Sequence, residues 1–420
     1  MSVNVPTSED HTVLAAAITT LTNRVTKAEQ AIAAAAGARP LPAHVLRPED
    51  FGAVAGSDCT AAFTRMMETV DKGLQPDPGG GVPVARHTIL LGPGPYILSK
   101  PWMTEKAGRA QGLTIRGMGK RSSEIVWTGS GPLLTNRDRW MGVRWEHLSF
   151  RSTNPEASFL YSYSTGAAQD WGFTNCEWRG SWKYGIGLDG PEASNTNSEW
   201  RFEGCHVGGA YDVAWLWSGM SPQYRQQDQF LNFWISDCKI EFDWGDAFRF
   251  DRGGFIVVTG GSWIIKGERP DGGVSRYFNF PLAGHADSVQ HLTIRGARFE
   301  LRNATSQVIR SRWNGGHITF SDCSDTALGF KPYSKDLTAH EYDFTAGAPQ
   351  VRYEQCDLVG RHRIWAGTGD IGRGGIVYDQ CTHKNHRVVG AFLDTAGAGT
   401  KPQIADLNIE HRADGDGFTS

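Results

Sequence analysis

From about residue 110 onward the apolar positions follow one repeating grammar. An apolar residue, two polar or small residues and then a cysteine recur as Phe173-Thr-Asn-Cys176, Phe202-Glu-Gly-Cys205, Ile235-Ser-Asp-Cys238, Phe320-Ser-Asp-Cys323, Tyr353-Glu-Gln-Cys356 and Tyr378-Asp-Gln-Cys381. Cysteine-free copies keep the same slot: Ile115-Arg-Gly-Met118, Trp145-Glu-His-Leu148, Val258-Thr-Gly-Gly261 and Ile294-Arg-Gly-Ala297. The slots run from 118 to 381 with a mean period of about 29 residues. A fixed period in that range marks a solenoid, propeller or array. After each slot apolar side chains return at every second position, as in Cys238/Ile240/Phe242 and Ala297/Phe299/Leu301. Period two is a strand with one buried face. Immediately before the slot stand Asn175, Gly204, Asp237, Gly260, Gly296 and Asp322, residue types that tolerate a left-handed corner. Strand, one-residue corner, strand in such a period is a rung of a parallel β-helix. A propeller blade needs four strands in roughly 40–50 residues. The predicted fold is all-β: a right-handed parallel β-helix of about ten rungs.

Stacked rungs place successive slots above one another at roughly 4.8 Å. The six slot cysteines therefore form an internal ladder of parallel thiols, an arrangement unsuited to disulfides. No Cys-x-x-Cys occurs, and no metal site or cofactor is read from the sequence. The seventh cysteine, Cys59, falls outside the ladder. Free buried thiols fit assembly in a reducing cytoplasm.

The N-terminal segment has a different period. Leu14, Ile18, Leu21, Val25, Ala28, Ile32 and Ala35 are separated by alternating steps of four and three, a heptad seam that predicts a coiled-coil helix with an oligomerising role. Gly37, Pro40 and Pro42 end it. A second helix is expected from about Asp58, with Asp58 as its N-cap. It would cover the open first rung of the solenoid, whose backbone groups and apolar interior need a lid. The predicted organisation is a stalk over 1–42, a capping unit with the first rung over 43–100, the β-helix over 101–390, and C-terminal strands and a tail over 391–420.

Charge and hydropathy exclude several classes. The formal net charge of −3 carries no nucleic-acid footprint. No apolar run is long enough to span a membrane, and the first residues lack a basic region followed by an apolar core, so neither a membrane span nor a secretory signal is expected.

Residues 50–98 carry a specific resemblance. Asp50-Phe51-Gly52-Ala53-Val54, then an alanine-rich helix, then Leu91, Pro93, Gly94, Tyr96 and Leu98 resemble the opening of the pectate-lyase-like β-helix superfamily. Tailspikes and minor tail proteins of tailed phages commonly carry this opening after an N-terminal stalk. The sequence departs after Val54, where the usual Gly-Asp-Gly and paired acids are reduced to Ala55-Gly56-Ser57-Asp58-Cys59. The resemblance implies a homotrimer, although the branched residues of the seam would by rule favour two strands. It also implies a virion tail component assembled in the host cytoplasm. Its stalk would meet other tail proteins and its flank a host surface glycan.

Two functional readings follow: a glycan-binding or structural tail protein, and a polysaccharide depolymerase, either hydrolase or lyase, using flank carboxylates. Whether the chain is an enzyme is open at this stage. Gly-His-Gly and Arg-Ile-Lys of the polygalacturonase branch are absent, and His317 stands alone. Glu241 and Glu300 are placed two rungs apart on one outward face, near the carboxylate separation of inverting glycosidases, although Lys239 and Arg298 beside them also suit a solvated, charge-balanced surface. The segment Asp243–Asp251 is the most acidic and aromatic part of the solenoid. Candidate catalytic residues are thus Glu241, Asp243, Asp246 and Glu300. Candidate sugar-stacking residues are Trp244 and, on the excursions between slots, Trp182, Trp215 and Trp217.

Overall fold

The computed structural model describes residues 20–21, 44–103, 108–136, 139–163, 169–189, 198–218, 232–251, 253–283, 289–327, 337–366, 375–383, 393–396 and 403–407. The chain divides into two units, residues 1–45 and 46–420. In the first, Thr20 and Leu21 are helical and Leu21 is exposed. The other seam positions, Leu14, Ile18, Val25, Ala28 and Ile32, lie outside the described residues, as does the tail beyond 407.

The second unit is a parallel β-solenoid with three strands to a turn. Phe233–Ser236, Gly254–Thr259 and Gln290–Arg295 are successive members of the first face, a sheet of thirteen strands. Lys239–Phe242, Ser262–Ile265 and Arg298–Leu301 stack on the second face. Asp246–Phe250, Ser275–Phe280 and Ser306–Ser311 stack on the third. Every pairing among these is parallel and in register. Glu177–Asp189 and His206–Ser218 run unbroken from the second face into the third. They bend at Gly180 and Gly209, both at positive φ. A Cβ at Gly209 would lie 1.9 Å from the Gly180 carbonyl oxygen, so only glycine lets these two rungs stack through the bend.

The corner before each slot has the expected handedness. Asn175, Asp237 and Asp322 have φ of 52°, and Gly204, Gly260 and Gly296 of 58° to 66°. His147, Gln355 and Gln380 adopt the same conformation, so the corner is imposed by stacking even where the side chain does not favour it. The slot cysteines are free and buried. Their role is more specific than filling space. Cys205 Sγ donates to the Phe173 carbonyl at 3.3 Å, Cys176 to Trp145 at 3.4 Å and Cys356 to Phe320 at 3.4 Å. Each thiol thus bonds the turn beneath it at the point where the corner interrupts the ladder.

Inside, one column of the first face runs Phe173, Phe202, Ile235, Val258, Ile294, Phe320, Tyr353, Tyr378. Phe173 and Phe202 stack at 5.3 Å, close to the rung spacing. At the N-terminal end the helix Thr60–Lys72 buries Ala62, Phe63, Met66, Met67 and Val70. Phe63 meets Tyr96 and Trp102, and Trp102 meets Trp145. The helix therefore closes the aromatic interior of the first turns. Its N-cap is Cys59, one residue later than expected; Asp58 instead accepts the Thr60 amide and the Ser99 hydroxyl.

Candidate functional site

The third face alternates inward aromatics with outward polar residues. Phe248 and Phe250 point into the core while Arg249 between them points out. In the next rung Phe278 and Phe280 flank the outward Asn279, and register places Asn279 beside Arg249. The rungs here are joined to the second face by turns of different length, and the one between Ile265 and Ser275 carries Arg269 and Asp271 to the edge of the third face. A cleft of about 730 Å³ lies between this turn and the strands.

Its floor is acidic and basic at once. Asp212, Asp246, Asp251 and Asp271 line it together with Arg249, Arg269 and Arg276. Asp251 pairs with Arg249 at 2.8 Å and Asp271 with Arg269 at 3.1 Å. Asp246 sits deepest, 6 % exposed. Its Oδ2 accepts from Asn279 Nδ2 at 2.6 Å, its Oδ1 lies 3.8 Å from Arg276, and Oδ1 makes no hydrogen bond. Burial pushes the Asp246 carboxyl above its ordinary value, against the opposing pull of Arg276 and Asn279. Arg276 is lowered by its own burial and is held in place by Gln307, which accepts from its Nε at 2.8 Å. At the cleft's N-terminal end Tyr161 and Tyr184 stack with ring centroids 6.0 Å apart. Trp244 lies beside this turn, its ring 5.7 Å from the Arg269 guanidinium.

Such a cleft has the parts of a sugar site. A flat aromatic pair offers apolar area to a pyranose face. Carboxylates and guanidiniums in one groove offer acceptors and bidentate donors to hydroxyls and to acidic sugars. A carboxyl that retains its proton to unusually high pH is the group that protonates a leaving oxygen in acetal cleavage.

Of the predicted catalytic residues only Asp246 lines this cleft. Glu241 and Glu300 do stand two rungs apart on the second face, with Ile264 between them. Each is already engaged, however: Glu241 by Lys239, which lowers its pKa, and Glu300 by Arg298 and Arg302. Asp243 ends the same strand in a pair with Lys266 at 3.0 Å. These acids are ion-paired on the flank and lie outside the lining of the cleft. Trp182, Trp215 and Trp217 are not exposed loop residues. All three are buried in the long strands: Trp215 and Trp217 pack against Phe202, Phe233 and Phe248, and Trp182 donates its indole N–H to the Arg179 carbonyl at 2.9 Å, so no ring face is left for a sugar.

The solenoid is similar in fold to several solved structures. The catalytic domain of Agl-KA aligns over 88 % of this chain and 69 % of its own, at 12 % identity and a TM-score of 0.48. The A-module of the mannuronan C-5 epimerase AlgE4 of Azotobacter vinelandii aligns over 88 % of this chain and 98 % of its own, at 13 % identity and a TM-score of 0.41. The tailspike of Acinetobacter phage vB_ApiP_P1 aligns over 91 % of this chain and 66 % of its own, at 14 % identity and a TM-score of 0.35. These are likenesses of fold. No family model matches the chain, and no curated protein does.

Sequence reasoning reached Asp246 and Asp251 through the density of acids in one segment. It missed Tyr161, Tyr184, Arg269, Arg276 and Asn279, which come from three different turns and share no local signal.

Proposed function

We propose that this chain is a tail component of a tailed phage whose third-face cleft binds a polysaccharide of the host surface. The observation that carries the glycan assignment is the cleft itself, in which the Tyr161–Tyr184 ring pair leads into a groove of alternating carboxylates and guanidiniums. The phage assignment rests on the resemblance of residues 50–98 to the opening of tailspikes and on the heptad seam before it. The resemblance supports a homotrimer, and the seam a stalk that holds it to the tail.

A second reading, that the protein cleaves the glycan it binds, is favoured by one observation. Asp246 is buried, retains its proton above the ordinary range, and lies in the cleft beside the more exposed Asp212. In that reading Asp246 is the general acid.

The test is incubation of the purified protein with capsular and cell-wall polysaccharides of candidate hosts, scoring retention and reducing-end release. Binding that falls at least tenfold in Tyr184→Ala, with no release, supports the adhesin. Release that is lost in Asp246→Asn while binding persists supports the depolymerase. Binding unaffected by Tyr184→Ala and by charge reversal of Arg269 would overturn the assignment of the cleft.

A further inference from the structure

Deep in the later turns the solenoid interior changes character. On the second face the inward column is apolar through Trp263 and Phe299, and then becomes Asp325. On the third face it is apolar through Phe278 and Ile309, and then becomes His340 and His362. On the first face Phe320 gives way to Tyr353 and Tyr378. The second- and third-face columns switch in one turn and the first-face column in the next, so their polar side chains meet. All five are buried.

One ligand-type atom from each of Asp325, His340 and His362 lies within 4.8 Å of the others. His340 Nε2 is 2.7 Å from Asp325 Oδ2. The other nitrogen of His340, Nδ1, is 2.9 Å from the Tyr353 hydroxyl, and His362 Nδ1 is 2.8 Å from the Tyr378 hydroxyl. Tyr353 is bonded in turn to Tyr342. Each imidazole is therefore oriented through Nδ1 by a phenol, so that Nε2 is the atom it offers to the cluster. Metal-ligating histidines are oriented in this way, with the second nitrogen fixed by an outer hydrogen bond.

Charge argues in the same direction. A buried carboxylate needs a compensating cation. Among the described residues the ion pair of Asp325 is with His340, and no lysine or arginine is paired with it.

We propose that Asp325, His340 and His362 bind one divalent transition-metal ion, zinc by preference, inside the solenoid. Two histidines and a carboxylate are a recurrent donor set for such ions. Ligands of a tetrahedral zinc stand about 3.3 Å apart, so metal entry spreads the His340–Asp325 pair and draws His362 inward, each by on the order of an ångström. The site is structural. It lies in the closed interior, away from the Asp246 cleft, and it joins two successive turns where apolar stacking gives way to polar side chains. It is independent of the glycan reading.

The full chain is expressed with added zinc, dialysed against metal-free buffer and analysed for metal by mass spectrometry. Stoichiometric retained zinc is expected, falling at least fivefold in His362→Gln. Cobalt loaded into the stripped protein should give the intense visible bands of a tetrahedral site, a readout that needs no variant. Chelator should lower the thermal midpoint by several degrees, and zinc should restore it. A folded protein that holds no zinc or cobalt overturns the proposal. Stoichiometric zinc that survives His362→Gln unchanged overturns this ligand set.

Discussion

Glu177 offers the sharpest test of how the outward columns are held. It belongs to a solvent-facing position of the second face, yet its side chain is only 2 % exposed. Arg121 covers it through two nitrogens at 2.9 and 3.1 Å, Ser149 Oγ donates at 3.0 Å, and His206 Nδ1 lies at 3.0 Å. Burial works to raise the carboxyl, but the hydrogen bonds from His206, Arg121 and Ser149 outweigh it and hold the group far below the ordinary glutamate range. Glu177→Gln removes the charge and turns an amide donor toward donors. Breaking a fully buried pair costs about 3–5 kcal/mol. Arg121 is 62 % exposed, so screening reduces the expected loss to about 2 kcal/mol at pH 7. The sign of the pH dependence follows from the depressed folded value. The stabilisation is complete above the unfolded pKa of about 4.3 and is lost as pH falls toward the folded value, at up to about 1.4 kcal/mol per unit. Urea unfolding of both proteins from pH 7 to pH 3 should therefore show a gap that is constant down to about pH 5 and narrows below about pH 4.3. A gap as wide at pH 3 as at pH 7, or none at pH 7, would refute the reasoning.

Three further outcomes are expected. The neighbouring Cys205 thiol and burial hold the Cys238 thiol well above the ordinary range, so it should resist aromatic disulfide reagents at pH 8 until the protein unfolds, and Cys238→Ala should cost about 1 kcal/mol in denaturant titrations. Gln355 sits at φ 52°, so Gln355→Val should destabilise by about 1–3 kcal/mol while Gln355→Gly changes stability by a few tenths, as read from paired thermal melts. Trp217 is fully buried against Phe233 and Phe250, and Trp217→Ala should lose about 3–5 kcal/mol of stability. Below the lowered melting temperature its glycan retention should match wild type; a selective loss of binding in folded protein would return Trp217 to the site.

The solenoid was legible because its signal is local. A left-handed residue, a small slot and an alternating strand are adjacent in the chain, and the same few positions recur, so Asn175, Cys176 and Trp178 announce their roles without knowledge of the rest. The outward acids of the second face were equally legible in position, since they are counted from the slot. What escaped was their state. Whether Glu300 is a free carboxylate or one clamped between Arg298 and Arg302 depends on side chains reaching across it.

The third face was illegible for a geometric reason. Phe248, Phe278 and Ile309 share one column although they follow Cys238, Gly261 and Ala297 at different distances, because the turn between the second and third faces varies in length. Counting from the slot therefore loses phase at that turn, and a one-residue error reverses every side chain. Trp215 and Trp217 were assigned to an excursion between slots, whereas their strand runs unbroken from His206 to Ser218 and keeps them on the inward phase. By itself the sequence determined the β-solenoid, its corners, its thiol ladder and the presence of a covering helix, because each rests on residues close together in the chain. Only the tertiary structure decided which carboxylate is buried in a cleft, which tryptophans fill the interior, and that an aspartate and two histidines from two successive turns meet inside, because stacking register is set by the whole turn.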